Sequence, residues 1–167
     1  AHRVTYVGEL GWELYIPADM SAHVFETLMA RRKDHDLALC GLHALDSCRI
    51  EKAFRHFGHD ISNEDHVLEA GLGFAVKEDK MAGRFGGMIG ADAVRAKRND
   101  GLSQRLMQFC LKDREPLLYH NEAILRDGEL IGYLTSGNYG HHLGAAIGLG
   151  LSLIHISEPT RLWHISY

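Results

Sequence analysis

The sequence is poor in cysteine, and its few cysteines are not spaced as a metal or redox motif. There are three, Cys40, Cys48 and Cys110, and no two of them form a C-x-x-C pair. An odd number without such spacing favours a reducing compartment over a disulfide scaffold. We therefore expect three thiols that behave as small buried hydrophobic groups.

Long apolar runs and a surplus of positive charge are also absent. No apolar stretch approaches the roughly 18 residues of a membrane span, and no run of lysine or arginine accompanies the net charge of -4. These absences argue against a membrane protein and against nucleic acid as a partner. The composition, 46% hydrophobic and 24% charged over 167 residues, is that of a globular protein with a sizeable core. We expect a soluble protein, cytoplasmic if bacterial and in the mitochondrial matrix if eukaryotic.

The N-terminal residues have the pattern of a β-hairpin. Two β-rich runs, 3–7 and 12–16, flank a Gly-Glu-Leu-Gly segment. With Glu9-Leu10 as the loop, Tyr6 pairs with Glu13, and alternation puts both side chains on one face. The opposite face is predicted to join the core and carries Thr5, Val7, Trp12, Leu14 and Ile16. A phenol beside a carboxylate suits the binding of a polar heterocycle, and an ordinary surface pair between strands is the alternative.

The remaining pattern divides into a mixed portion and a β-rich portion, so the predicted fold class is α+β. Apolar periodicity or charge predicts helices over 21–33, 42–54 and 91–98. The run FAVK predicts a short strand over 74–77. Beyond Asn99-Asp100-Gly101 the strands are joined by glycine-rich turns, and Asp127-Gly128 is the strongest hairpin signal. We therefore predict an α+β domain over 1–100 and a small all-β domain over 101–150.

The chain begins at Ala1 with a strand-like pattern, which suggests that it is cut from a longer sequence. At the other end, LSLIHISEPTR (151–161) equals one reading frame of the transposase adapter used to prepare sequencing libraries. All eleven residues match that translation. We therefore treat 151–167 as an artefactual tail and assign no function to its residues.

The stretch IEKAFRHFGHDISNEDH (50–66) is dense in histidine and acidic residues, but its spacing does not favour a metal site. His56 and His59 are three residues apart, with Gly58 between them breaking a helical face. The simpler interpretation is a turn in which Gly58 adopts a special backbone angle and Asp60 accepts hydrogen bonds from nearby amides. The sequence also lacks G-x-G-x-x-G between a strand and a helix and lacks G-x-S-x-G. We therefore predict no metal, nucleotide or nucleophile site.

Four separated motifs together resemble one family. They are TYVGELGWELYIP (5–17), DSCRIEKAFRHFGHDI (46–61), LEAGLGFAVKEDK (68–80) and YLTSGNYGHHLGAAIGLG (133–150). They resemble the C-terminal, folate-binding half of dimethylglycine and sarcosine dehydrogenases, which is itself similar to the glycine-cleavage T protein, an aminomethyltransferase. The resemblance implies a partial T-protein-like folate-binding fold followed by a small antiparallel β-barrel portion.

The resemblance also implies the chemistry. In such dehydrogenases an FAD-bearing N-terminal portion oxidises the N-methyl group of a methylated glycine. The folate half binds tetrahydrofolate and takes up the one-carbon unit as 5,10-methylenetetrahydrofolate. The tyrosine and last glutamate of the family's Y-x-G-E-x-G-x-E pattern contact the folate, and they correspond to Tyr6 and Glu13.

Two departures from the family's pattern limit what the resemblance implies. Leu45 stands where aminomethyltransferases carry a folate-contacting arginine, which favours the dehydrogenase branch. The family's catalytic aspartate has no counterpart in this sequence, so we expect no catalytic residue in the chain and no turnover by the chain alone. The alternatives are an aminomethyltransferase, whose partner would be a lipoyl carrier protein, and a non-catalytic folate-binding module.

Overall fold

A computed structural model of the chain describes residues 1–153 and shows a mixed α and β architecture. Its first part contains two short strands and four helices, which are β1 (His2–Arg3), β2 (Trp12–Glu13), α1 (Ser21–Ala30), α2 (Leu42–Glu51), α3 (Glu78–Met81) and α4 (Ala91–Asp100). Its second part contains four strands, which are β3 (Gln104–Cys110), β4 (Ala123–Arg126), β5 (Glu129–Gly140) and β6 (Ala145–Leu153). In this described part of the chain no helix is long and apolar enough to cross a membrane. The predicted α+β class is confirmed.

The last four strands form one antiparallel sheet in the order β3-β6-β5-β4. The hairpin predicted at Asp127-Gly128 is confirmed, because Arg126 pairs with Glu129 across a two-residue loop. Both loop residues have positive φ, 54° at Asp127 and 83° at Gly128, as the favoured hairpin turns require. Leu151–Leu153, the first residues of the predicted tail, extend β6 and pair with Gln104–Leu106; the rest of that tail lies outside the described residues.

Two buried clusters hold the sheet together. One lies within the β-rich part and consists of Phe109, Leu111, Leu118, Ile124, Leu134 and Ala146. The other joins α2 to the sheet through Ile50, which packs with Leu106, Ile147 and Leu149. Polar contacts fix the same helix, since the Ser47 hydroxyl donates to the Tyr139 carbonyl at 2.6 Å. Helix α2 therefore connects the two predicted domains through a shared core.

The hairpin is present, but its predicted register is wrong. His2 pairs with Glu13 and Arg3 with Trp12, so the strands are two residues long and residues 4–11 form the connecting loop. Tyr6 and Glu13 are therefore not partners across strands. The physical cause is Gly8, which has φ of 86° and packs directly against the carbonyl of Cys48 in α2. Because the loop packs on α2, the two strands do not continue the backbone pairing that the alternating pattern predicted.

Several other local predictions are corrected. Trp12, Leu14 and Ile16, predicted to face the core, are exposed, and so is Cys40. The run FAVK is not a strand; Gly73–Ala75 forms a 3-10 turn, and Phe74 is 79% exposed, so no sheet packs against it. Helices α1 and α2 end earlier than predicted, whereas α4 extends to Asp100, just before Gly101.

Candidate functional site

The histidine-rich stretch forms the turn that its sequence predicted. Gly58 has φ of 87°, and its amide donates to the Ile61 carbonyl at 2.7 Å. The amide of Asp60 donates to the His56 carbonyl at 2.8 Å, and the Asp60 carboxylate accepts from the His56 amide at 2.8 Å. Asp60 is only 1% exposed, so this turn directs a carboxylate into the protein interior.

Arg49 of α2 meets that carboxylate and completes a buried polar network. Arg49 is 1% exposed, and its Nη1 lies 2.5 Å from Asp60 Oδ2. Its other donors reach Asp46 Oδ1 at 2.8 Å, the Phe54 carbonyl at 3.0 Å and Ser136 Oγ at 2.9 Å. The guanidinium therefore ties one helix, one turn and strand β5 together. Multiple partners of this kind are what a buried arginine needs to offset its desolvation.

The other oxygen of the Asp60 carboxylate, Oδ1, also has hydrogen-bond donors around it. Thr135 Oγ1 donates to Asp60 Oδ1 at 2.7 Å, and Ser136 Oγ donates to the same oxygen. Burial by itself raises the pKa of Asp60, but the bonds from Ser136, His56 and Thr135, together with the charge of Arg49, outweigh burial and hold the pKa below its ordinary value. Asp60 is therefore ionised in the folded protein at neutral pH.

A pH dependence of stability follows from that lowered pKa. Because the folded state holds the proton less tightly than the unfolded state, the contribution of Asp60 is fully present above its ordinary pKa of 3.8. The contribution disappears as the pH falls through the lower folded pKa. We expect the difference in free energy of unfolding between wild type and Asp60→Asn to shrink in acid, as measured by urea denaturation.

The matched control for this experiment is Asp79→Asn. Asp79 pairs with Arg84 at 2.8 Å, but both side chains are more than half exposed. That variant should differ from wild type by less than about 0.5 kcal/mol at every pH. A wild-type advantage over Asp60→Asn that stays constant down to acid pH would contradict the assignment.

Tyr6 lies on the docked loop, beside this network, with its hydroxyl buried. Its ring stacks on Phe54 at a centroid distance of 6.3 Å and meets the edge of His56 at 6.5 Å. Among the described residues the hydroxyl oxygen has no hydrogen-bond partner. Burial raises the pKa of Tyr6, and the opposing charge of Arg49 does not cancel that effect. The hydroxyl is therefore a protonated donor that lacks an acceptor, which is an uncommon and costly state for a buried group.

Glu13 occupies a different setting from the one predicted. It is exposed at the end of β2, and its Oε2 accepts a hydrogen bond from the Tyr15 hydroxyl at 2.8 Å. That bond, with the Glu13 charge, raises the pKa of Tyr15. Tyr15 also contacts the ring of His2, the residue opposite Glu13 in the ladder, at 5.1 Å. The carboxylate is accessible to a ligand and is oriented by a neighbouring phenol.

Three histidines extend from Tyr6 along the surface. His56 stacks on His59 at 5.8 Å, and His59 meets His120 at 6.2 Å. Within residues 1–153 no group of three or more histidine, cysteine or acidic side chains has a geometry that could hold a metal ion. The stretch forms a structured turn, with His56 and His59 exposed and His66 partly buried.

Two family models, one for an N-terminal and one for a C-terminal domain, match successive parts of the chain. Residues 1–80 match the GCVT N-terminal domain, and residues 104–166 match the glycine cleavage T-protein C-terminal barrel domain. The chain belongs to the glycine-cleavage T-protein family. The resemblance noted from four sequence motifs is thereby confirmed.

Relatives of this T-protein-family chain include oxidoreductases and transferases. It is 44% identical over 147 residues to a 4-methylaminobutanoate oxidase (formaldehyde-forming) of Paenarthrobacter nicotinovorans, covering 88% of this chain and 17% of the oxidase. It is 36% identical over 160 residues to human mitochondrial sarcosine dehydrogenase, covering 96% of this chain and 16% of the dehydrogenase. It is 40% identical over 148 residues to an aminomethyltransferase of Halothermothrix orenii, covering 89% of this chain and 40% of the transferase.

A solved T-protein structure supports the same fold. The glycine cleavage system aminomethyltransferase T from Bartonella henselae superposes with a TM-score of 0.73 at 26% identity, covering 89% of this chain and 40% of that one. The chain therefore spans less than half the length of the relatives described here. The relatives described here are oxidoreductases and aminomethyltransferases.

The sequence motifs located the turn and the loop but missed the role of Arg49. A signal was available, because an arginine within an amphipathic helix that packs on a core requires an acidic partner nearby. Asp60 follows eleven residues later, in the turn already predicted to use that carboxylate. Nothing in the sequence indicated the contributions of Thr135 and Ser136, which are brought in by β5.

Proposed function

We propose that the chain is the folate-binding region of an FAD-dependent N-methylglycine dehydrogenase, with Tyr6 and Glu13 contacting tetrahydrofolate. The observation that carries the proposal is the buried Tyr6 hydroxyl, which has no acceptor in the described part of the chain. A ligand with a polar heterocycle supplies that acceptor. The exposed Glu13 carboxylate accepts paired N–H groups from an aminopyrimidine edge, a strong and directional form of recognition.

The supporting geometry places Tyr6 on a loop anchored at both ends. The Val4 amide donates to the Gly11 carbonyl at 3.0 Å, and Gly8 packs on α2. Helix α2 is itself fixed by Arg49 and the sheet. A binding residue held by such a chain of contacts loses little conformational freedom when ligand binds.

The proposed reaction divides between this region and a longer protein. FAD, bound outside the chain, would supply the oxidation of the N-methyl amine. This region would hold tetrahydrofolate as the acceptor of the one-carbon unit, giving 5,10-methylenetetrahydrofolate. The small-molecule partners are thus folate and a methylated glycine. The 36% identity to sarcosine dehydrogenase and Leu45 in place of the family's arginine both support this branch.

The second candidate is an aminomethyltransferase acting with a lipoyl carrier protein, and the 40% identity to the Halothermothrix orenii enzyme favours it. The gene upstream of Ala1 separates the two. A dehydrogenase carries a G-x-G-x-x-G fingerprint between a strand and a helix for its dinucleotide. An upstream sequence without that fingerprint would leave the transferase as the better assignment.

Tetrahydrofolate titration tests the site. We expect Glu13→Ala in the protein that carries this region to weaken tetrahydrofolate binding by about 1.5–3 kcal/mol, because a hydrogen bond to a charged group is lost. Tyr6→Phe, which keeps the ring stacked on Phe54 and removes only the hydroxyl, should also weaken binding. Isothermal titration calorimetry measures both.

Glu26→Ala is the matched control, since Glu26 is an exposed acid on α1 and not part of the loop of residues 4–11. It should bind tetrahydrofolate like the wild type. Equal affinities for the wild type, Glu13→Ala and Tyr6→Phe would refute the assignment of the site. Binding that persists in a protein without any one-carbon donor activity would instead support the non-catalytic module.

A further inference from the structure

A cavity of about 490 Å³ opens between residues 68–74, the end of α4 and the start of β3. Its wall combines apolar and cationic side chains, which are Leu68, Phe74, Leu102, Lys97, Arg98 and Arg105. Among the described residues no acidic side chain lines it, although the whole chain carries a net charge of -4. The volume lies within the range of small-molecule sites. None of the residues from Tyr6 to Glu13 lines the cavity, so it is separate from the proposed folate site.

The positive charges around this cavity are only partly balanced. Lys97 Nζ lies 2.8 Å from Glu69, and Arg98 Nη2 lies 2.7 Å from Glu78. Arg105 is exposed on β3, and within the part of the chain that the structure describes its guanidinium makes no hydrogen bond or ion pair. One cation at the rim is therefore available to a ligand.

A second cation lies directly behind the wall. Arg55 is half-buried, and its Nε and Nη1 donate to the carbonyls of Ala70 at 3.0 Å and Ala53 at 2.7 Å, so no carboxylate bonds to it. Burial lowers the pKa of Arg55; the negative charge of Asp60 raises it in part, and the positive charge of Arg105 lowers it again. Gly71 has φ of 69°, and a Cβ at this position would overlap Arg55 Nη2. Gly71 lines the cavity and Arg55 does not, so the missing side chain at Gly71 lets the guanidinium pack directly behind the wall.

We propose that this cavity binds a small organic dianion with an aromatic or aliphatic body. Arg105, without a carboxylate partner among residues 1–153, and Arg55, whose hydrogen bonds go to carbonyls, offer two positive charges to two negative ones. Guanidinium groups suit the geometry of phosphate and carboxylate. The body of the ligand packs on Phe74, whose ring is 79% exposed, and on Leu68 and Leu102. The shared chemistry is that of a phosphate monoester or a dicarboxylate.

The test uses the 167-residue chain at constant ionic strength, since salt screens exposed charges. Phenyl phosphate, phenylsuccinate and inorganic phosphate are titrated separately, and the amide resonances of Gly73 and Gly101 in the cavity wall report binding. We expect saturable binding of at least one aromatic dianion, tighter than that of inorganic phosphate. The stronger of the two aromatic ligands identifies the anion class.

Variants locate the binding. Arg105→Gln should weaken the aromatic dianion by about tenfold or more, the effect of losing one charged hydrogen bond. Arg105→Lys, which keeps the charge, should retain part of the affinity. Phe74→Ser should abolish the preference for the aromatic anion over inorganic phosphate. The matched control is Arg31→Gln, which removes an exposed arginine beyond α1 that pairs with Asp34.

Two results would overturn the proposal. One is the absence of saturable binding of either aromatic dianion to the wild-type chain. The other is equal weakening by Arg105→Gln and Arg31→Gln, which would show that the anions respond to overall charge alone. Unfolding midpoints of every variant are measured alongside, so that a loss of binding is read only on folded protein. The exposure of Arg105 and Phe74 makes their substitution compatible with folding.

Discussion

Arg49→Met is expected to destabilise the protein by about 3–5 kcal/mol, the usual effect of removing one partner of a buried ion pair. The substitution leaves the Asp60 carboxylate, 1% exposed, without its cation. It also leaves the Phe54 carbonyl without its donor from Arg49 Nη1. Since small domains have about 5–15 kcal/mol of stability in total, the loss consumes a large share of it. The free energy of unfolding in urea measures the effect.

Arg84→Met is the matched control for that measurement. Arg84 also pairs with an aspartate, Asp79, at 2.8 Å, but it is 71% exposed. Exposed pairs contribute roughly 0–1 kcal/mol, so this variant should unfold close to the wild type. The double variant Arg49→Met/Asp60→Leu removes both charges and should be less destabilised than the sum of the single changes. Similar midpoints for Arg49→Met and Arg84→Met would contradict the structural role of the network.

Gly8→Ala is expected to detach the Tyr6 loop from α2. Gly8 has φ of 86°, and a Cβ there would overlap the Cys48 carbonyl. Left-handed backbone costs a residue with Cβ about 1–2 kcal/mol, and overpacking adds about 1–3 kcal/mol. We expect the Val4 and Gly8 amides, which are bonded within the loop, to lose hydrogen-exchange protection. Tetrahydrofolate binding should fall with them, since the loop carries Tyr6.

The variant Gly83→Ala distinguishes backbone strain at positive φ from steric overlap of the added Cβ. Gly83 has φ of 87°, nearly that of Gly8, but nothing lies within 4 Å of a Cβ at that position. Its substitution should show the backbone strain alone, about 1–2 kcal/mol. If Gly8→Ala changed stability and loop exchange no more than Gly83→Ala, contact with α2 would not be what positions Tyr6.

The elements that could be predicted were those specified by local chemistry. The Asp127-Gly128 hairpin needs only two residues that tolerate positive φ between two strand-forming runs. The turn around Gly58 and Asp60 is likewise local, because its main bonds join residues no more than four apart. Apolar periodicity and charge found the three longer helices, with their ends displaced by a few residues.

The register of the first hairpin could not be predicted, because no local feature decides it. Alternation favoured a ladder that paired Tyr6 with Glu13, whereas Gly8 packs on a residue forty positions later in the chain. The candidate site changed with it. Tyr6 is a half-buried side chain whose hydroxyl has no partner within residues 1–153, and Glu13 is an exposed carboxylate that accepts a hydrogen bond from Tyr15. Their role as folate contacts stays a prediction, but their predicted pairing across strands was wrong.

By itself, the sequence determined the fold class, the family and the short turns, because these depend on patterns and motifs that lie close together along the chain. Only the tertiary structure decided what Arg49, Asp60 and Tyr6 do. The network joins a guanidinium of α2, a carboxylate of a turn and two hydroxyls of β5. Ser136 lies 87 residues after Arg49, and Thr135 lies 75 residues after Asp60. Because burial excludes water from this network, each hydrogen bond and ion pair in it is strengthened, and each polar group left unpaired costs free energy.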